Sequence, residues 1–157
     1  MLLTRERDLF ARLTFPFIGR DWQLSSRRRN AGMPRIGLSG VRVLVVEDEM
    51  LVSMLLEDML SDIGCTPVGP ATRIEPALTL VENAGFDIAI LDVNLNGRES
   101  YPIAEALAAR AIPFVFASGY TEETLREEYR HIPSLRKPFR RNELERTLTA
   151  VLSPAAS

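Results

Sequence analysis

The sequence has almost no lysine. Of its nineteen basic residues eighteen are arginine, and the exception is Lys137, in the run Leu135-Arg136-Lys137-Pro138-Phe139. Cysteine, histidine and tryptophan are each present once. A single Cys65 excludes an internal disulfide and fits a reducing compartment. Its apolar, Gly/Pro-flanked setting suits a small buried side chain better than a reactive thiol. No stretch approaches the ~18 apolar residues that a membrane span needs. The N-terminus lacks the long apolar core and small-residue cleavage site of a secretory signal. The expected location is cytoplasmic, with no stable membrane insertion.

The formal net charge of −2 hides an asymmetry. Residues 1–40 hold eight arginines against three acids, whereas residues 41–157 hold eleven basic groups against eighteen acids. An acidic domain does not suit nucleic acid, because phosphate contacts require clustered Lys and Arg.

Residues 1–40 also differ in pattern. Leu2, Leu3, Leu9, Phe10, Leu13 and Phe17 form a loose helical stripe interleaved with arginine, broken by Pro16 and Gly19. Arg27-Arg28-Arg29 and a Gly/Pro/Ser-rich stretch follow. The segment reads as a basic disordered extension, or as a translation start placed too early with Met33 as the true one. A basic stripe lying on a membrane surface is the third option.

From residue 41 the pattern is regular. Val41–Val46, Thr66–Val68, Asp87–Leu91, Pro113–Ala117 and Ile132–Arg136 read as strands, several of them apolar on both faces. Met50–Leu60, Thr72–Asn83, Tyr101–Arg110, the highly charged Thr121–Arg130 and Arg141–Leu152 read as helices. Strict alternation of strands and helices predicts an α/β fold, a doubly wound five-stranded parallel sheet over residues 41–152. Residues 153–157 form a tail.

Ligands of such sheets bind outside the carboxyl ends of the strands. Those ends carry Glu47, Asp48 and Glu49 after the first strand, Asp92 after the third, Ser118 after the fourth and Lys137 after the fifth. Taken singly, each has an ordinary explanation: acids at a helix start, a loop-capping Asp, a Ser-Gly turn. Together they predict one cluster. Three nearby carboxylates repel unless they share protons or hold a cation, and oxygen ligands of this kind suit Mg²⁺. A hydroxyl and an ammonium facing the metal would hold phosphoryl oxygens. Asp92, alone at its strand tip, is the carboxylate placed to attack phosphorus.

These residues resemble a known family. Val43-Leu44-Val45-Val46-Glu47-Asp48-Glu49, Ile90-Leu91-Asp92-Val93-Asn94-Leu95 and Lys137-Pro138-Phe139 are similar to the receiver domain of two-component response regulators, with its flavodoxin-like fold. The run Pro113–Tyr120 resembles the FAT GUY subgroup of alphaproteobacterial receivers. The resemblance implies that Asp92 accepts a phosphoryl group from a sensor histidine kinase or a histidine phosphotransfer protein. It implies that Glu47, Asp48, Asp92 and the Asn94 carbonyl hold Mg²⁺, that Ser118 and Lys137 bind phosphoryl oxygens, and that the Lys137–Pro138 bond is cis. It further implies a signalling protein rather than an enzyme acting on a separate substrate, read out by a downstream protein docking near the fourth and fifth helices. Two departures stand out: Ser118 where threonine is commoner, and Ser134 where many receivers carry an aromatic switch. Tyr120 could carry part of that signal or simply pack in its loop.

Other readings remain. A stand-alone receiver could be a phosphate sink or a shuttle in a relay. A small phosphohydrolase working through an aspartyl phosphate would need an acid where Asn94 stands. A nucleotide binder would need a Gly-rich loop after the first strand, where acids stand instead.

Overall fold

The computed structural model describes residues 37–119 and 125–153. The readings of residues 1–36, of Tyr120 and of residues 154–157 lie outside the described residues.

Among the described residues, seven strands and four α-helices run in the order β1 (Arg42–Val46), α1 (Met50–Asp62), β2 (Thr66–Ala71), α2 (Ile74–Asn83), β3 (Ile88–Asp92), β4 (Asn94–Leu95), β5 (Arg98–Glu99), α3 (Tyr101–Ala109), β6 (Phe114–Ser118), β7 (Ser134–Arg136) and α4 (Arg141–Leu152). Five strands form one parallel sheet in the order β2-β1-β3-β6-β7. β4 and β5 form a separate antiparallel pair.

The alternation of side chains along each strand sends apolar residues to both faces. Leu44, Val46, Leu91, Phe114 and Phe116 pack with α2 and α3 through residues such as Ala77, Val81, Ile103 and Leu107. Val43, Val45, Ile88, Ile90, Val115 and Leu135 pack with α1 and α4 through Leu56, Leu60, Leu144 and Leu148. This is the doubly wound arrangement expected from strict alternation. The chain order reverses at β1 and β3, so the crevice at the topological switch point opens between their carboxyl ends.

Several boundaries differ from expectation for local reasons. β2 extends to Ala71, past a cis Gly69–Pro70 bond and a register shift opposite Leu44–Val46. Gly69 sits at φ +97°, where a Cβ would approach the Ala71 nitrogen to 2.9 Å. β7 starts at Ser134, two residues late, because Pro133 has no N–H to offer a ladder. The boundaries of α4, Arg141–Leu152, are those expected.

The expected fourth helix, Thr121–Arg130, is a correction. Residues 121–124 lie outside the described residues, and Glu127–Tyr129 form a single 3₁₀ turn. Arg126 is extended, with φ −56° and ψ 143°. Its N–H donates to the Tyr101 hydroxyl at 3.1 Å instead of joining a helical ladder. The Tyr129 ring stacks on the Tyr101 ring at 4.8 Å, which fixes the segment against α3. Sequence spacing also works against a helix, since Glu123 and Glu127, and Arg126 and Arg130, are like-charged pairs four apart. Among the described residues the sheet is therefore flanked by four α-helices and a 3₁₀ turn.

Candidate functional site

The site forms where β1, β3, β6 and β7 end. Parallel pairing sets the depth of each contributing residue. Asp92 closes β3 opposite Ala117, and Ser118 closes β6 opposite Arg136. Lys137 is then the first residue past β7, and its N–H donates to the Ser118 carbonyl at 2.8 Å. Glu47 follows β1, and its N–H donates to the Ala71 carbonyl at 3.0 Å. Four strand ends thus bring Glu47, Asp48, Asp92, Ser118 and Lys137 together, as the sequence pattern expects.

Glu47, Asp48 and Asp92 each place a carboxylate oxygen within 4.8 Å of the others. The Lys137 ammonium donates to Glu47 Oε2 and, at 3.1 Å, to Asp92 Oδ2. The Glu47 side chain is 3% exposed and that of Asp92 is 12% exposed, so these charges meet largely out of water. Burial opposes the charge on Lys137. The hydrogen bond to Glu47 and the charges of Asp92 and Glu47 outweigh it, and the lysine pKa is raised. Burial pushes the Glu47 carboxyl up, against the hydrogen bonds from Lys137 and the Glu49 N–H. The ammonium faces two carboxylates at once, which holds Lys137 in its charged form.

Around this centre, backbone groups orient the acids. Asp92 Oδ1 accepts from the Asn94 N–H at 3.2 Å, and Asp48 Oδ2 accepts from the Asn96 N–H at 3.0 Å. Both donors belong to the β4–β5 hairpin, which the strand pattern did not reveal. The Asn96-Gly97 pair is its signal: φ is +52° and +84°, as a two-residue type I′ turn requires. The Gly97 N–H donates to Asn94 Oδ1 at 2.7 Å. The segment after Asp92 is thereby tied to the acids of the site through the Asn94 and Asn96 N–H groups. The Lys137–Pro138 peptide is cis, as expected.

Beside the acids, α1 begins with an exposed apolar surface. Met50, Leu51, Met54 and Leu55 are between 55% and 81% exposed. Among the described residues these are the large hydrophobic side chains left facing solvent. The 3.6-residue period of α1 explains the division: Ser53, Leu56 and Leu60 turn inward while the other face remains uncovered.

A parallel sheet of this order, with an acidic cluster and one lysine at its switch point, defines an α/β domain of the flavodoxin-like receiver type. The family model of the response regulator receiver domain matches residues 43–149, and the chain belongs to that family. The solution structure of SdrG from Sphingomonas melonis Fr1 is 47% identical, covering 72% of this chain and 97% of that one, with a TM-score of 0.66. The transcriptional regulatory protein PdtaR of Mycobacterium tuberculosis is 32% identical over 119 residues, 73% of this chain and 55% of PdtaR. The chain thus spans about half the length of that curated relative. The receiver domain of the sensor histidine kinase PA1611 from Pseudomonas aeruginosa PAO1 shares the fold at 23% identity, covering 73% of this chain and 98% of that one, with a TM-score of 0.60; its structure has a magnesium ion in the active-site cleft. No helix among the described residues is long and apolar enough to cross a membrane.

Proposed function

We propose that this protein is a response regulator whose Asp92 accepts a phosphoryl group from a phosphohistidine, on a sensor histidine kinase or a histidine phosphotransfer protein. The observation that carries the reading is the meeting of three carboxylates with one ammonium at the switch point of the sheet. Four strand ends converge on it, and structural ion pairing alone has no need of a third carboxylate. In the transfer, a carboxylate oxygen of Asp92 forms a bond to phosphorus as the phosphorus–nitrogen bond of the donor breaks. The electron pair stays on the imidazole nitrogen, which takes up a proton. Such a transfer depends chiefly on positioning and charge neutralisation.

The donor set fits a divalent cation: the carboxylates are hard oxygen ligands and lie close enough to share one ion. Glu47, Asp48, Asp92 and the Asn94 carbonyl would hold Mg²⁺, which when bound offsets the charge on the phosphoryl oxygens. Lys137 already touches Asp92 and would follow the new charge onto a phosphoryl oxygen. Ser118 closes the adjacent strand and would offer its hydroxyl to another. The exposed face of α1 supports docking of the donor, since Met50 stands three residues after Glu47 and an apolar surface there would seat a partner over the acids.

Phosphorylation adds about −1.5 to −2 charges at one point. With Ser118 and Lys137 drawn toward it, the segment between β6 and β7 and the 3₁₀ turn would shift. We read the output as protein–protein contact on the face built by that turn, β7 and α4. This replaces the surface expected from a fourth helix. Membership of the FAT GUY subgroup rests on the run Pro113–Tyr120, and the roles of phosphate sink or shuttle are alternatives to this output. Hydrolysis of phosphate esters is disfavoured, because the Asn94 amide is engaged by Gly97 and supplies no acid.

Phosphotransfer from radiolabelled histidine kinases of the host tests the reading. Label should pass to the wild-type protein in Mg²⁺ and fail to reach the Asp92→Asn variant. Equal labelling of both would refute it.

A further inference from the structure

β7 ends the sheet, so one of its edges has no neighbouring strand among the described residues. The phase of its backbone is fixed by two bonds to β6: the Phe116 N–H donates to the Pro133 carbonyl at 3.1 Å, and the Lys137 N–H to the Ser118 carbonyl at 2.8 Å. Residues 133, 135 and 137 therefore turn inward to β6, and Ser134 and Arg136 turn their N–H and C=O groups to the open edge. Unpaired edges are templates for another strand unless they are covered.

α4 runs beside this edge and leaves a groove of about 820 Å³. Leu135 and Val151 supply buried apolar surface, and Ser134, Arg136, Arg146 and Thr147 are among the other lining residues. Arg136 and Arg146 are exposed. The one acid of the lining, Glu143, turns its carboxylate back to the Arg140 N–H at 3.4 Å. Burial lowers the pKa of His131, so this side chain adds no charge at neutral pH. The groove is therefore a cationic trough, on a part of the chain (residues 41–157) with eighteen acids against eleven basic groups.

We propose that this groove binds an extended, acid-bearing segment of another protein, which adds to β7 as a sixth strand. Backbone groups at the edge select an extended chain, and alternate side chains of that chain would point to the apolar floor and to the arginines. The groove's volume is in the upper part of the ~300–1,000 Å³ range of ligand sites, enough for a short peptide. The inference rests on the reading that output is protein–protein contact. It joins that contact to the site mechanically, because Lys137 is the residue that follows β7.

The test uses the full chain and a fluorescein-labelled hexapeptide of alternating Asp and Val, read by fluorescence anisotropy. Two comparison peptides are the same sequence with alternate backbone nitrogens methylated, and a Lys/Val counterpart. The acidic peptide should bind, and the Lys/Val peptide should not. Methylation at the positions that face β7 should weaken binding tenfold or more, because it removes the donors. Arg136→Glu combined with Arg146→Glu should weaken it by at least as much while leaving the thermal melt unchanged, since both side chains are exposed. Binding that survives methylation within twofold, or survives the double variant, overturns the proposal, as does failure of the acidic peptide to bind. A dimer by light scattering that the double variant dissolves would show that a second copy occupies the edge, and also overturns it. The Asp92→Asn variant should lose phosphoryl uptake yet still bind the peptide, so the groove and the phosphoacceptor reading fail separately.

Discussion

Replacing Lys137 by methionine removes a cation that touches both Glu47 and Asp92. Methionine matches the length of the aliphatic stem and leaves the carboxylates facing one another. At the 3.1 Å separation of Lys137 and Asp92, the Coulomb attraction is about 5 kcal/mol at an effective dielectric constant near 20. Desolvation of the ammonium offsets much of that. Breaking a buried pair by removing one partner costs about 3–5 kcal/mol, and the partial exposure of Lys137 and Asp92 places this variant near the lower end. Urea unfolding in EDTA at pH 7 should therefore show a loss of about 3 kcal/mol. The loss should shrink as pH falls, because protonation of Glu47, whose pKa burial raises, relieves the repulsion. At the other end, the raised Lys137 pKa stabilises the wild-type protein below the lysine's ordinary 10.5, and this contribution is lost as pH rises through the folded value. The methionine variant should lack that alkaline limb. Adding Mg²⁺ should restore part of the lost stability. A variant as stable as wild type in EDTA, with an unchanged pH profile, would refute the account of the ion cluster.

Other expectations follow from single contacts. Lys137→Arg keeps the charge but puts a wide planar fork where a slim ammonium sits; it should fold, yet uncouple phosphorylation from partner binding in a pull-down with and without beryllofluoride. Gly69→Ala should lower stability by at least 1 kcal/mol on chemical unfolding, because the new Cβ meets backbone atoms at 2.9 and 3.1 Å and φ is positive. Tyr129 is buried against Tyr101, and its pKa is pushed up to about 12 by desolvation and by the charges of Glu105 and Glu128. Ultraviolet titration should show a late tyrosinate step that Tyr129→Phe abolishes.

The legible parts of this fold were those where sequence and tertiary packing ask for the same thing. Val43–Val46, Ile88–Leu91 and Phe114–Ala117 are apolar on both faces and had few alternatives to a covered parallel sheet. The site was legible through the same logic, because polar residues at the ends of such runs must share one edge. Two features were not read. The β4–β5 hairpin is too short for a periodicity to register, although Asn96-Gly97 marks its turn. The segment Leu125–Tyr129 has helical apolar spacing, and its geometry is set instead by the Tyr101 hydroxyl and ring, which come from a residue 25 positions away from Arg126. The double role of Lys137, bonded to Glu47 as well as Asp92, depends on its side chain reaching across the ends of the intervening strands toward β1, and appears only in three dimensions.

If Asp92 carries the phosphoryl group, chemical mapping of the modified residue will find it there. The protein is incubated with its phosphohistidine donor and Mg²⁺, reduced with borohydride, digested and sequenced by mass spectrometry. An acyl phosphate on aspartate is reduced to homoserine, so homoserine should appear at position 92 and at no other acid of the site. Homoserine at position 48, or phosphate retained on Ser118 with position 92 unmodified, would contradict it.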